Sequence, residues 1–274
     1  MSQTRIFDGA HLRADLVRNG GKRLMVTFDY RVTGRTGFGN LTPSDQFAAA
    51  GFDQLMIATR ANDWFVNPDI TQLEDVCATL RDGYGSAHAI GFSMGGYGAF
   101  RLARALRLDH VVAVSPQISI DSRIVPFESR YNRESRLFDP VLGDMIAHVN
   151  RHLRGTILVD DLNVNDLTHA RMLQVVFPQV RLVRLSGGGH PSTRVLRAAR
   201  RTGTLQRLAM QPQTGPAAVL NAHRAARGAQ AVYWSAIARA ASARHPAWAA
   251  RARQTAAKLR AAAPDGVDAV RDSQ

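Results

Sequence analysis

The chain holds one cysteine, Cys77, in 274 residues, so no disulfide can form within it and burial has to hold the fold together. A chain without internal crosslinks suits a reducing compartment. Cys77 itself sits in LEDVCATL, where it reads as a small buried apolar residue of an amphipathic helix with no chemical role. Lysine is scarcer than a formal charge of +13 would suggest: Lys22 and Lys258 stand alone, and arginine supplies the rest of the 35 basic residues. The arginines are scattered singly along helix-like segments, as a compositional habit of GC-rich coding would scatter them. Dispersal of that kind disfavours a nucleic-acid-binding face, which needs its charge massed. Long apolar runs are absent as well. Nothing approaches the roughly 18 to 20 residues needed to span a bilayer, and the stretch before Leu24 already carries Asp8 and Asp15, unlike a secretory signal. These absences together give the expectation of a cytoplasmic protein with no membrane span.

The chain is long enough for one full domain and an appendage. From Leu24 to about residue 200 short apolar runs alternate with helix-like segments. The runs are 24–30, 54–59, 87–92, 110–115, 156–160 and 180–185, with helix patterns at 71–82, 94–107 and 166–176 between them. The runs are near-continuously apolar, which indicates strands buried on both faces. Strands alternating with helices imply right-handed crossovers and a mostly parallel sheet covered by helices on both sides. Active sites of such sheets lie beyond the carboxyl ends of the strands. Residues 117–154 interrupt the alternation and read as a small lid over that edge. The expected organisation is therefore an α/β domain over 1–207, then a linker and an Ala/Arg-rich helical hairpin over 208–274. In the hairpin Tyr233, Ile237 and Ala241, then Trp248, Ala252, Ala256 and Leu259, fall at helical spacing, with Pro264 as the stop. The pair loosely resembles a single tetratricopeptide-type unit, although packing on the parent domain is the simpler reading. Residues 201–274 hold eleven Lys or Arg against three Asp, eight of the thirteen surplus charges, so a protein or anionic partner would meet this basic tail, 208–274, first.

The stretch with chemical content is AIGFSMGGYGAF, residues 89–100. Gly91-Phe92-Ser93-Met94-Gly95 matches G-x-S-x-G, with an apolar strand before it and an amphipathic helix after it, the context a strand-to-helix nucleophile turn requires. Glycines two positions either side of Ser93 let strand and helix approach each other, and Gly96 and Gly98 carry the close packing into the first helical turn. The amide of Met94 would face an oxyanion. A phosphate-binding loop is disfavoured because the lysine of G-x-x-x-x-G-K-[ST] is missing. A serine nucleophile needs a base, and His190, in the SGGGHPST loop after the last strand, falls at the same end of the sheet. His88 lies inside the strand before Ser93, His169 lies on a helix, and the remaining histidines lie outside late strand-end loops.

On the GFSMGG turn and the late GGGH, residues 20–200 resemble the α/β-hydrolase family. That resemblance implies a triad in the order Ser, acid, His, with Ser93 and His190 as its ends and the acid between 115 and 190, after TILVD. Asp166, Asp160 and Asp161 compete for that place, Asp166 being favoured although it opens a helix and would serve equally as an N-cap. The family's spacing would put the acid near Leu162 or Asn163, where this chain has none. The second oxyanion donor would be the backbone N–H of Tyr30, or of Asp29, after LMVTFDY. Trp64 and Phe65 would line a pocket or fill the core. The implied activity is ester or thioester hydrolysis on a small-molecule acyl substrate, with no cofactor and no metal. The alternatives are transfer of the acyl group to an alcohol or sugar by the same triad, and a non-catalytic scaffold whose basic tail binds a partner.

Overall fold

The computed structural model describes residues 2–262. Its centre is a single eight-stranded sheet of β1 (Ser2–Asp8), β2 (Leu12–Arg18), β3 (Arg23–Phe28), β4 (Phe52–Thr59), β5 (Ser86–Phe92), β6 (His110–Val114), β7 (Arg154–Val159) and β8 (Val180–Arg184). The order across the sheet is β1-β2-β4-β3-β5-β6-β7-β8. β1 and β2 are antiparallel to their neighbours, and β4 through β8 run parallel with β3. The helices are α1 (Asp45–Ala49), α2 (Ile70–Arg81), α3 (Met94–Arg101), α4 (Asn132–Ser135), α5 (Val164–Val176), α6 (Arg194–Ala198), α7 (Gly203–Met210), α8 (Ala217–Arg227), α9 (Ala231–Ala241) and α10 (Pro246–Ala261).

Strand periodicity divides the core into two layers. Leu24, Val26, Ala87, Ala89, Val111, Ala113, Ile157 and Val159 face α2, α3 and α5. Their neighbours Met25, Ile90, Val112, Val114 and Leu158 face α1, α6, α7 and α8. The fold is thus the expected mostly parallel sheet with helices on both faces, extended by C-terminal helices. No helix of the described residues is long and apolar enough to cross a membrane.

All six runs read from the sequence are strands, but β1 and β2 go beyond that reading. β1 is an exposed edge ribbon pinned by Arg5 to Asp15 at 3.0 Å and Arg13 to Asp8 at 2.7 Å. β2 buries Leu12, Ala14 and Leu16 while turning Arg13 and Asp15 outward, an alternation easily taken for a polar loop. The boundary expected at 207 falls inside α7. α8, which follows a short turn at Pro212–Thr214, places Val219 in the second core layer. α9 and α10 pack as a hairpin, with Ala238 and Ala241 against Ala249, Ala252 and Ala256 in the seam. Pro264 lies outside the described residues.

Two histidines sit side by side at the end of the sheet opposite the carboxyl ends of the parallel strands. The His88 and His110 rings are 5.8 Å apart. Nδ1–H of His88 donates to Ala209 O at 2.7 Å, whereas Nδ1 of His110 is buried with no hydrogen-bond partner among the described residues. Burial pushes the His110 imidazole down to about 4 and lowers His88 as well. Both rings are therefore neutral in the fold and titrate near pH 6.5 when the chain unfolds. The unfolded chain takes up the protons first, so stability is complete above pH 6.5 and is lost as pH falls toward 4. For His110 that loss is about 3 kcal/mol. Melting temperatures followed from pH 7 to 4.5 are expected to fall steadily, and His110→Leu should remove much of the slope. Glu128, held at about 2 by its hydrogen bonds and ion pair against the opposing effect of burial, contributes its own loss only below about pH 4.5.

Candidate active site

Ser93 lies between β5 and α3 with φ 49° and ψ −116°, a conformation that a residue with a side chain enters only when its surroundings force it. Three close approaches force it here. A Cβ on Gly91 would stand 2.2 Å from Gly95 O, one on Gly95 would stand 2.6 Å from Asp29 O, and one on Gly96 would stand 2.9 Å from Pro116. The turn is tied to the next strand by Ser93 N–H to Val114 O at 2.8 Å. The Ser93 hydroxyl is thereby raised above the carboxyl ends of the strands, and the residue is 8% exposed.

Oγ of Ser93 is 2.9 Å from Nε2 of His190, and Nδ1 of His190 is 2.7 Å from Oδ2 of Asp166. The partners determine the tautomer: Nδ1–H donates to the carboxylate and Nε2 accepts the hydrogen bond of the Ser93 hydroxyl. Asp166, the favoured acid, is fully buried in the first turn of α5. It does not cap that helix. Asn163 does, accepting the Asp166 N–H at 3.2 Å, which leaves both Asp166 carboxylate oxygens to other partners. Arg130 lies 2.8 Å from Oδ1 as an ion pair. Burial alone would push the Asp166 carboxyl up, but the charge and hydrogen bond of His190 and the charge of Arg130 outweigh it and hold the group below its usual range. Arg130 is shared with Glu128 through Nε at 2.9 Å, and Glu128 meets Nε2 of His169 at 3.0 Å. His169, Glu128, Arg130, Asp166, His190 and Ser93 so form one polar chain, buried except at the half-buried Arg130 and His190.

Asp160 and Asp161 stand outside it. Asp160 accepts the backbone N–H groups of Gly187 at 2.9 Å and Gly189 at 2.7 Å, clamping the loop that carries His190, and burial raises its carboxyl. Asp161 is half-buried and makes no hydrogen bond to His190. The same loop is braced from the C-terminal helices. His223 of α8 donates from Nε2 to Ser186 O at 3.1 Å. Tyr233 of α9 packs so closely that a Cβ on Gly187 would stand 2.4 Å from its ring.

The amide of Met94 occupies the first position of α3, where a helix N–H has no intrahelical partner. The structure corrects the expectation for the opposite donor. Tyr30 is 56% exposed and its N–H donates to Asp29 Oδ1 at 2.8 Å, while the Asp29 N–H donates to Ile57 O at 2.9 Å. Both expected amides are therefore already engaged, that of Tyr30 by the preceding side chain and that of Asp29 by β4. For Tyr30 the physical cause is the Asp29 carboxylate, which ion-pairs with Arg35 at 2.7 Å with both side chains under 5% exposed and also accepts the following amide.

Trp64 and Phe65 are both fully buried. Phe65 meets Phe28 edge-on and lies against Gly98. Trp64 donates from Nε1 to Gln117 Oε1 at 3.0 Å and meets the Tyr131 ring edge-on at 4.7 Å. Tyr131 is a site residue that the sequence did not flag: its hydroxyl is 3.3 Å from Nε2 of His190. The segment that carries it, 117–154, roofs the serine and is anchored to the helix behind the serine. Tyr97 O–H donates to Gly143 O at 3.0 Å, Arg101 Nε–H to Leu142 O at 2.8 Å, and Arg101 pairs with Glu74 at 2.6 Å. At its outer edge Glu134 pairs with Arg31 at 2.8 Å. A surface cleft of about 750 Å³ lies elsewhere, at the opposite end of the sheet beside Arg18, Lys22, Asp53 and Tyr84. It is remote from Ser93, and the site geometry outweighs its size.

No protein-family model matches this sequence, and a comparison with curated proteins found no match. Among solved structures the chain is similar to the capsule O-acetyltransferase of Neisseria meningitidis serogroup A, at 14% identity and a TM-score of 0.48 over 73% of this chain and 93% of that one. It is similar to an esterase of Pyrococcus furiosus at 16% identity and 0.47, covering 76% and 91%. It is likewise similar to Est1E from Butyrivibrio proteoclasticus at 14% identity and 0.47, covering 76% and 100%.

Proposed function

We propose that the protein is a serine hydrolase that cleaves carboxylic esters through an acyl-enzyme on Ser93. The observation that carries this reading is the unbroken contact from a strained serine to an imidazole at 2.9 Å and from that imidazole to a buried carboxylate at 2.7 Å. In that arrangement the serine oxygen attacks the acyl carbon while Nε2 of His190 takes its proton. Asp166 keeps the imidazole in the accepting tautomer and stabilises the imidazolium that forms. The Met94 amide faces the oxygen that gains charge. His190 then returns its proton to the leaving group, and the same steps run with water release the acid.

A fluorophosphonate probe tests the reading, because it reacts only with a serine whose hydroxyl is activated. Mass spectrometry of the labelled wild type is expected to find one adduct, on Ser93, and none in Ser93→Ala. An adduct of equal yield in Ser93→Ala would falsify the assignment. A series of p-nitrophenyl esters from short to long then reports which acyl chain the roofed site accepts.

A further inference from the structure

The hydroxyl of Tyr131 has no part in the chemistry above, yet it reaches the imidazole nitrogen at which the proton is exchanged. It lies 3.3 Å from Nε2 of His190, the same nitrogen that Ser93 Oγ meets at 2.9 Å. Two different oxygens need a donor in acyl transfer, and they lie on opposite sides of the nucleophile. The oxyanion sits at amides such as that of Met94, away from the base. The leaving-group oxygen sits at Nε2, because it must receive the proton that the imidazole returns. A hydroxyl within hydrogen-bonding reach of Nε2 occupies the second position.

We infer, resting on the serine-hydrolase reading, that Tyr131 is a catalytic residue that hydrogen-bonds the leaving-group oxygen, and that the site is built for oxygen esters of ordinary alcohols in preference to thioesters. In acylation the Oγ–C bond forms, the serine proton moves to Nε2, and the carbonyl electron pair moves onto oxygen. When the intermediate collapses, the C–O bond to the alcohol breaks and its electron pair stays on the departing oxygen. The proton on Nε2 passes to that oxygen while Tyr131 O–H donates a hydrogen bond to it and keeps its own proton. Deacylation is the reverse path, with water in the place of the alcohol, so ester and water become acid and alcohol.

The surroundings suit this role. The ring is wedged against the edge of Trp64 at 4.7 Å, and Trp64 is itself fixed by its bond to Gln117. The guanidinium carbons of Arg130 and Arg31 lie 5.2 and 5.9 Å from the ring centre. Burial, outweighing the pull of Arg130, raises the phenol and keeps it a donor at neutral pH. The preference between ester types follows from the acceptor. An alkoxide leaving group has high proton affinity and gains much from a second donor, whereas a sulfur accepts hydrogen bonds weakly and a nitrophenolate leaves readily without one.

The experiment compares wild type with Tyr131→Phe on esters of one acyl chain: ethyl butyrate, phenyl butyrate, p-nitrophenyl butyrate and ethyl thiobutyrate. Loss of kcat/KM is expected to be about a hundredfold for the ethyl ester, smaller for the phenyl ester, and within about threefold for the nitrophenyl ester and the thioester. A loss equal across all four, as a donor to the oxyanion or a purely structural residue would give, overturns the assignment, and so does no loss for the ethyl ester. Fluorophosphonate labelling of Ser93 in Tyr131→Phe at a rate near wild type shows the site assembled. If the variant fails to fold, 3-fluorotyrosine at 131 keeps the packing and makes a stronger donor. It should shift the ethyl ester rate while leaving the nitrophenyl rate unchanged, and equal shifts overturn the inference. Wild type that neither labels at Ser93 nor cleaves any ester overturns the serine-hydrolase reading itself, and the role of Tyr131 falls with it. A labelled wild type with a flat Tyr131→Phe profile overturns the Tyr131 assignment alone.

Discussion

Ser93→Ala and His190→Ala are each expected to lower kcat by about a millionfold, and the double variant should be no worse than either. The reason lies in the contact between them. On the serine-hydrolase reading the two side chains, 2.9 Å apart, act as one proton-transfer unit, so that removing either end disables the other. If the double variant instead showed losses that multiplied, the residues would be acting independently and the triad reading would be wrong. Neither change should unfold the protein. The strained Ser93 backbone is held by Gly91, Gly95 and the bond to Val114 rather than by its hydroxyl, so melting temperatures should move little. Activity would persist in the alanine variants at the residual level that the Met94 amide and substrate binding provide.

The second large effect concerns the carboxylates. Asp166→Asn is expected to lower kcat by about ten-thousandfold, since an amide facing Nδ1 allows the imidazole to carry its proton on Nε2 and present a donor, not an acceptor, to Ser93. The change also leaves Arg130 with Glu128 as its remaining acidic partner. Asp160→Asn should behave differently. Its carboxylate touches backbone rather than imidazole, so the cost falls on the loop, about 1.5 to 3 kcal/mol of stability for hydrogen bonds to a charged group. Loss of activity there should be much smaller than for Asp166→Asn. Paired measurements of kcat and melting temperature on the two variants separate the roles, and an exchange of the two patterns would move the acid to Asp160.

These two aspartates mark where sequence reading reached its limit. Ser93 and His190 stand out because their positions impose local demands: glycines at 91, 95 and 96 that relieve backbone crowding, and a glycine-rich loop after the last strand. The acid carries no such local mark. Asp160, Asp161 and Asp166 fall within seven residues of one another, and which one meets the imidazole depends on Asn163 taking the helix cap and Arg130 arriving from a distant segment. The oxyanion expectation at Tyr30 failed for a related reason. An amide's availability depends on whether a neighbouring carboxylate folds back on it, and that of Asp29, ion-paired with Arg35, does so. Tyr131 lies in a stretch with neither strand nor helix periodicity, so nothing in its surroundings points to the serine. In the fold, strands buried on both faces were plain from their apolar runs. β1 and β2, polar on one side, and α8, whose alanine and arginine resemble linker composition, needed their partners to be seen.

The bracing of the histidine loop bears on the order in which the molecule is made. Ser93 and its turn can settle as soon as β6 follows them, but the loop after β8 emerges from the ribosome with its floor still unsynthesised. Ser186 gains His223 and Gly187 gains Tyr233 only when α8 and α9 have followed. A growing chain of about two hundred residues therefore lacks the two contacts that brace the loop carrying His190. On the serine-hydrolase reading, competence becomes a late event of biosynthesis, reached only after the helices that follow the sheet have been added.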